Sequence, residues 1–122
     1  MNVIQISILS AGFFLVIFAT GFWVKRLGKP YPSLVLNIHK LIALGAVVYL
    51  AITAARISKA DPLTTAQVAS LVLSAVLFVG TIVSGGLASI DKPMAVIPLK
   101  IHRVSPYLTL LAGAASLYFL LV

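Results

Sequence analysis

An all-α integral membrane protein, with four transmembrane helices in an up-down-up-down bundle, is predicted by three observations. Of the 122 residues, 61% are hydrophobic and 9% charged. Soluble domains carry roughly 25% charged residues, so a chain this small has too little polar surface to cover its apolar side chains. Its apolar residues fall into four segments, each near the roughly 20 residues needed to cross a bilayer. The connections between them are short, which forces neighbouring helices antiparallel.

The first span is expected at about residues 2–24, with no basic residue before it and no small-residue cleavage site after it. It reads as a retained span rather than a signal peptide. Gly28, Pro30 and Pro32 separate it from a second span at about 33–57, since glycine ends helices and proline opens them. The third span is expected at about 62–90, with Asp61 as N-cap and Pro62 in the first turn. Asp91, Lys92 and Pro93 repeat that chemistry before a fourth span at about 96–122. Nothing in this layout leaves room for a soluble domain or a linker; one four-helix domain is expected, in repeat halves of about 1–61 and 62–122.

The charges assign an orientation. Lys25, Arg26, Lys29, Lys40, Lys92, Lys100 and Arg103 flank the first and third loops, against Arg56 and Lys59 on the other side. Basic loops stay in the cytoplasm, so both termini are expected outside, in the inner (plasma) membrane. The net charge of +7 therefore reports topology and lipid, and nucleic acid is not an expected partner. The same composition excludes several chemistries. There is no cysteine, hence no disulfide or thiolate site. There is no glutamate, and Asp61 and Asp91 are the only acids. Paired-carboxylate catalysis and transport coupled to an intramembrane acid lose their usual groups.

An internal repeat carries the functional signal. Lys29-Pro30, eight residues, then His39-Lys40 is matched by Lys92-Pro93, eight residues, then His102-Arg103, at a constant offset of 63 residues. Leu36-Asn37-Ile38-His39-Lys40 aligns with Leu99-Lys100-Ile101-His102-Arg103. The halves read as two similar helical hairpins. The second and fourth spans then run in the same direction and lie diagonally in a four-helix bundle, with His39 and His102 at equal depth near the cytoplasmic side.

These are the only two histidines. Intramembrane ionisable groups are functional candidates, and imidazole is a good ligand for haem iron, with metal–nitrogen bonds of roughly 2 Å. Two such ligands are too few for a closed zinc site. A bis-histidine haem b, one per chain, is therefore expected, with His39 and His102 as axial ligands. Lys40, Arg103, Lys29, Lys92 and Lys100 are expected to meet the haem propionates. Gly21 and Gly85, with Ser84 and Gly86 beside the latter, are expected to leave space for the macrocycle. Pro106, four residues after His102, is expected to kink the fourth span.

At His39 and His102, with their basic neighbours Lys40 and Arg103, the chain resembles the small membrane b-type cytochromes. It is most similar to the cytochrome b561-like and ferric-reductase-like four-helix cores. The resemblance covers the whole chain as an arrangement and implies haem held between histidines on alternate helices. Those families typically use four histidines for two haems, whereas two stand here, so one haem near one face is implied. The function that follows is electron transfer at the cytoplasmic face, to or from quinone or a soluble partner, alone or as an anchor subunit, with a homodimer compatible. Two other expectations stand beside it: a non-redox protein of haem sensing, storage or transfer, and a small four-helix transporter.

Overall fold

The computed structural model describes residues 2–90 and 92–122; Asp91, expected to cap the fourth span, lies outside the described residues. The described chain is all-α. Its helices are α1 (Val3–Leu27), α2 (Ser33–Ala60), α3 (Thr65–Ala88) and α4 (Val96–Leu121), the last preceded by a 3-10 turn at Pro93–Ala95. Four segments, the fourth counted from Pro93, are long and apolar enough to cross a membrane, and the chain is a multi-pass membrane protein.

The distribution of side chains is the reverse of a water-soluble core. Leu15, Leu34 and Ile97 are about 70% exposed (71%, 72% and 69%), which suits contact with lipid tails. The buried set is rich in small and hydroxyl residues: Ser10, Ala46, Thr53, Ser74, Ser84, Ala88, Ala95, Thr109 and Ser116. Helices in lipid gain little by hiding large apolar groups from one another. They associate by close backbone approach and hydrogen bonds, which small and hydroxyl residues allow.

The helix ends follow local chemistry. Asn2 and Gln5 form a capping box at the start of α1, the Gln5 amide donating to Asn2 Oδ1 over 2.8 Å and the Asn2 amide to Gln5 Oε1 over 3.1 Å. Lys25 and Arg26 occupy the last turn of α1, where cations complement the helix dipole. α1 closes at Gly28, whose φ of 72° is a conformation that suits glycine. The expected start of α3 needs correction. Asp61 is not its N-cap and Pro62 is not in its first turn. Thr64 caps the helix, its Oγ1 accepting from the Gln67 amide at 3.2 Å while the Thr64 amide donates to Gln67 Oε1 at 2.8 Å. The Thr-x-x-Gln box satisfies two terminal donors reciprocally, whereas Asp61 continues from α2, its amide donating to the Ile57 carbonyl. α4 runs unbroken through Pro106.

Two compact units make up the chain, one ending at Thr53 and the other spanning Ala54–Val122. In the first, α1 and the adjoining part of α2 form an antiparallel hairpin. Phe13 stacks on Tyr49 with centroids 5.3 Å apart, and the Tyr49 hydroxyl donates to the Ile6 carbonyl at 3.4 Å. In the second, α3 and α4 are joined by a polar seam. Gln67 Nε2 donates to the Phe119 carbonyl at 2.9 Å, Ser74 Oγ meets Ser116 Oγ at 2.7 Å, and Thr81 Oγ1 meets Thr109 Oγ1 at 2.9 Å. Gln67, Ser74 and Thr81 are spaced by seven, as are His102, Thr109 and Ser116. That is the period at which a straight seam persists between two helices.

The hairpins share a burial pattern. Ser10 and Ser74, Phe14 and Phe78, and Val24 and Ala88 are buried pairs offset by 64 residues; Ala46 and Thr109, and Thr53 and Ser116, are buried pairs offset by 63. The chemistry at equivalent rungs differs. Ser74 pairs with Ser116, but Thr53 gives its proton to the Tyr49 carbonyl at 2.9 Å, and the buried Ser10 hydroxyl has no hydrogen-bond partner.

Two expectations follow for stability in mixed micelles. Thr64→Ala should cost about 1 kcal/mol through loss of the cap, while Asp61→Ala should stay within about 0.5 kcal/mol of the parent. Ser74→Ala should destabilise by about 0.6 kcal/mol, the average for an interhelical hydrogen bond in a membrane protein. Ser10→Ala should be neutral or stabilising, because it removes a buried hydroxyl that is unsatisfied. Denaturant titrations followed by circular dichroism measure both contrasts.

Candidate functional site: two equivalent histidine seats

Each hairpin seats one half-buried histidine against the preceding helix. In the first, His39 on α2 lies over Gly21 on α1. A Cβ built at Gly21 would stand 3.1 Å from His39 Cε1 and 3.6 Å from Nε2. In the second, His102 on α4 lies over Gly85 on α3, and a Cβ there would stand 2.7 Å from Cε1 and 3.2 Å from Nε2. Both glycines exist for the close approach of an imidazole ring. The space they create beside each histidine is taken by the ring itself, so any role in admitting a flat ligand is exercised through the histidines.

Hydrogen bonds bear on where the proton of each ring sits. Thr20 Oγ1 lies 2.8 Å from His39 Nδ1, and also 2.8 Å from the Val16 carbonyl and 3.1 Å from that of Ile17. A carbonyl only accepts, so its own helix backbone offers the single Thr20 proton two acceptors. With the proton there, Nδ1 of His39 is the donor to Thr20. In the second hairpin Nδ1 of His102 lies 2.9 Å from the Thr81 carbonyl and 3.3 Å from Ser84 Oγ. The Ser84 hydroxyl donates to the same carbonyl at 3.0 Å, so here too Nδ1 donates. The Thr81 carbonyl requires a donor at His102 Nδ1, and the Thr20 hydroxyl can accept from His39 Nδ1, so both seats suit a neutral Nδ1–H tautomer with the lone pair on Nε2. An imidazole that ligates a metal typically donates its other N–H to an oxygen acceptor in this way.

The acceptors differ between the two hairpins. Gly85 is four residues after Thr81, as Gly21 is four after Ile17 in α1, and the His102 ring uses the carbonyl of Thr81. The equivalent of Thr81 in α1 is Ile17, and there the imidazole turns to the Thr20 hydroxyl, which reaches out from the helix.

The expected basic residues occupy other faces. Lys40 and Arg103 follow the histidines directly and are turned about 100° around the helix from them; both are exposed. Lys100 is exposed on α4, Lys92 is exposed before the 3-10 turn, and Lys29 sits in the first loop with its ammonium 5.9 Å from the Tyr31 ring centroid. Among the described residues no three of His, Cys, Asp or Glu gather in a cluster. Sequence reasoning missed Thr20 and Thr81. Extending the repeat backwards finds the first, since Thr20-Gly21 matches Ser84-Gly85 at an offset of 64. No sequence signal marks a backbone carbonyl such as that of Thr81.

Gly85→Ala should displace the His102 ring and cost about 1–3 kcal/mol, as overpacking does. Gly21→Ala demands only a few tenths of an ångström, and the roughly 1 kcal/mol gained in helix propensity should leave it near neutral. Unfolding midpoints and the imidazole NMR signals of the two variants check the ranking. Comparison with known proteins finds no matching family model, no matching curated protein and no matching solved structure.

Proposed function

We propose that the chain is a membrane b-type cytochrome in which His39 and His102 are the axial ligands of a single haem b. The observation that carries the reading is the repetition of one imidazole seat. Each hairpin spends a glycine and an oxygen acceptor on holding its histidine as the Nδ1–H tautomer, and in each the ligating lone pair falls on Nε2. A structural histidine satisfied by one interhelical bond has no need to be duplicated with its tautomer. The donor set fits haem: two neutral imidazoles, each already carrying the outer hydrogen bond that raises ligand basicity.

Haem b held there by His39 and His102 would supply a one-electron iron couple. The chain's own residues do the remaining work. Thr20, Thr81, Gly21 and Gly85 orient the ligands. Lys29, Lys40, Lys92, Lys100 and Arg103 place positive charge on the basic side of the membrane, where propionates would need it. In this reading the basic side is cytoplasmic, both termini are outside, and the membrane is the plasma membrane. Electrons pass to or from quinone or a soluble partner, with the chain acting alone or as the membrane subunit of a larger oxidoreductase. The likeness to the cytochrome b561-like core belongs to the same proposal.

The test is spectroscopic. Protein purified in detergent and supplied with haem should show sharp reduced α and Soret bands, and His39→Ala and His102→Ala should each abolish the six-coordinate low-spin spectrum. A preparation that stays colourless after haem is added overturns the proposal. Tight haem with no reduction by quinol or by any soluble reductase would keep the ligation and replace electron transfer with haem sensing, storage or transfer.

A further inference from the structure

We propose that Thr20 is the positioning residue of His39. Its hydroxyl oxygen receives the Nδ1 proton, locks the ring in the Nδ1–H tautomer and so presents Nε2 as the ligand atom. Its repeat equivalent Ser84 has no such duty toward His102. The purpose of the lock rests on the haem-ligand reading of His39; the tautomer itself does not.

The need for a lock comes from the chemistry of imidazole. A neutral alkylimidazole in water favours the Nε2–H form, which carries its lone pair on the wrong nitrogen for ligation through Nε2. An acceptor aimed at Nδ1 reverses the preference, provided that it cannot donate in return. A hydroxyl is usually ambivalent, being both donor and acceptor. Thr20 is biased to accept, because its proton has backbone carbonyls to go to, that of Val16 at 2.8 Å or that of Ile17 at 3.1 Å. With its proton on the backbone, it meets His39 Nδ1, 2.8 Å away, as an acceptor.

Ser84 is placed in the same way in sequence but not in function. The Thr81 carbonyl already takes the His102 Nδ1 proton at 2.9 Å, and Ser84 Oγ stands further off at 3.3 Å. A backbone carbonyl survives any side-chain substitution. The two seats thus reach one tautomer by different means: His39 depends on a side chain that mutation can remove, and His102 on a backbone group that it cannot.

Full-length protein labelled with 15N-histidine in detergent micelles, without haem, gives the first readout through long-range proton–nitrogen correlations of the rings. Both histidines should show the Nδ1–H pattern. Thr20→Val, nearly isosteric, should shift His39 to the Nε2–H form or a mixture and leave His102 unchanged. Thr20→Ser should restore the parent pattern, and Ser84→Ala should leave His102 in its Nδ1–H form. An unchanged His39 in Thr20→Val overturns the proposal, as does loss of the His102 pattern in Ser84→Ala.

Haem titration gives the second readout. Thr20→Val should bind haem about 10–100-fold more weakly, the usual loss when an outer-shell partner of a ligand is removed, with Thr20→Ser near the parent. Parent-like affinity in Thr20→Val would overturn the positioning role. If the parent itself takes up no haem, the cytochrome reading fails while the tautomer result stands by its own measurement.

Discussion

Lipid cannot hydrogen-bond, and that constraint shapes everything in this chain. Backbone polar groups are satisfied inside helices, so the described residues form long helices and little else. Side-chain hydroxyls turn back onto their own helix or across to the next. Thr20, Thr53, Thr81, Ser84 and Thr109 each have a carbonyl three or four residues earlier within hydrogen-bond reach, although one of Thr81 and Thr109 gives its proton to the other. This ordinary habit of hydroxyls in membrane helices has a chemical result. Once its proton is given to the backbone, a hydroxyl becomes a pure acceptor for whatever approaches. At Thr20, what approaches is the imidazole Nδ1 of His39.

The same constraint explains why the two hairpins hold together differently while keeping one plan. Without a hydrophobic drive between helices, adhesion comes from close fit and from hydrogen bonds. The hairpin of α3 and α4 relies on hydrogen bonds at a seven-residue spacing. That of α1 and α2 relies on fit, with Phe13 against Tyr49 and Gly45, and with Ile17 and Ala46 where the other has Thr81 and Thr109. Positions that face inward are conserved in place between the halves, and their chemistry is free to vary so long as each polar group finds a partner. Ser10 shows what is left when it does not.

Much of this was legible in the sequence. Four spans follow from the length of the apolar runs, and the equivalence of His39 and His102 as positions in the two hairpins follows from the 63-residue register. The helix boundaries were less legible. Asp61-Pro62 looks like a helix start, but Thr64-x-x-Gln67 two residues later satisfies two backbone donors instead of one and wins. The α2 helix absorbs residues up to Ala60 because nothing before Asp61 stops it. The histidine seats were half legible. Gly21 and Gly85 stand out as small residues on the partner helices, but whether a glycine admits a side chain or a flat ligand depends on ring placement that spacing alone does not give. The Thr81 carbonyl was invisible, since every residue has one.

The two offsets, 64 residues between α1 and α3 and 63 between α2 and α4, differ by one. From Thr20 to His39 the chain takes 19 steps, and from Ser84 to His102 it takes 18. The glycine still meets the ring in both. The connecting loop has therefore gained or lost a residue without shifting the helices it joins. Sequence drift at this edge of the protein is decoupled from the register inside it. The loops are the natural place to graft a tag, a fluorophore or a tether to a soluble partner, because the histidine seats do not measure the length of chain that joins their two walls.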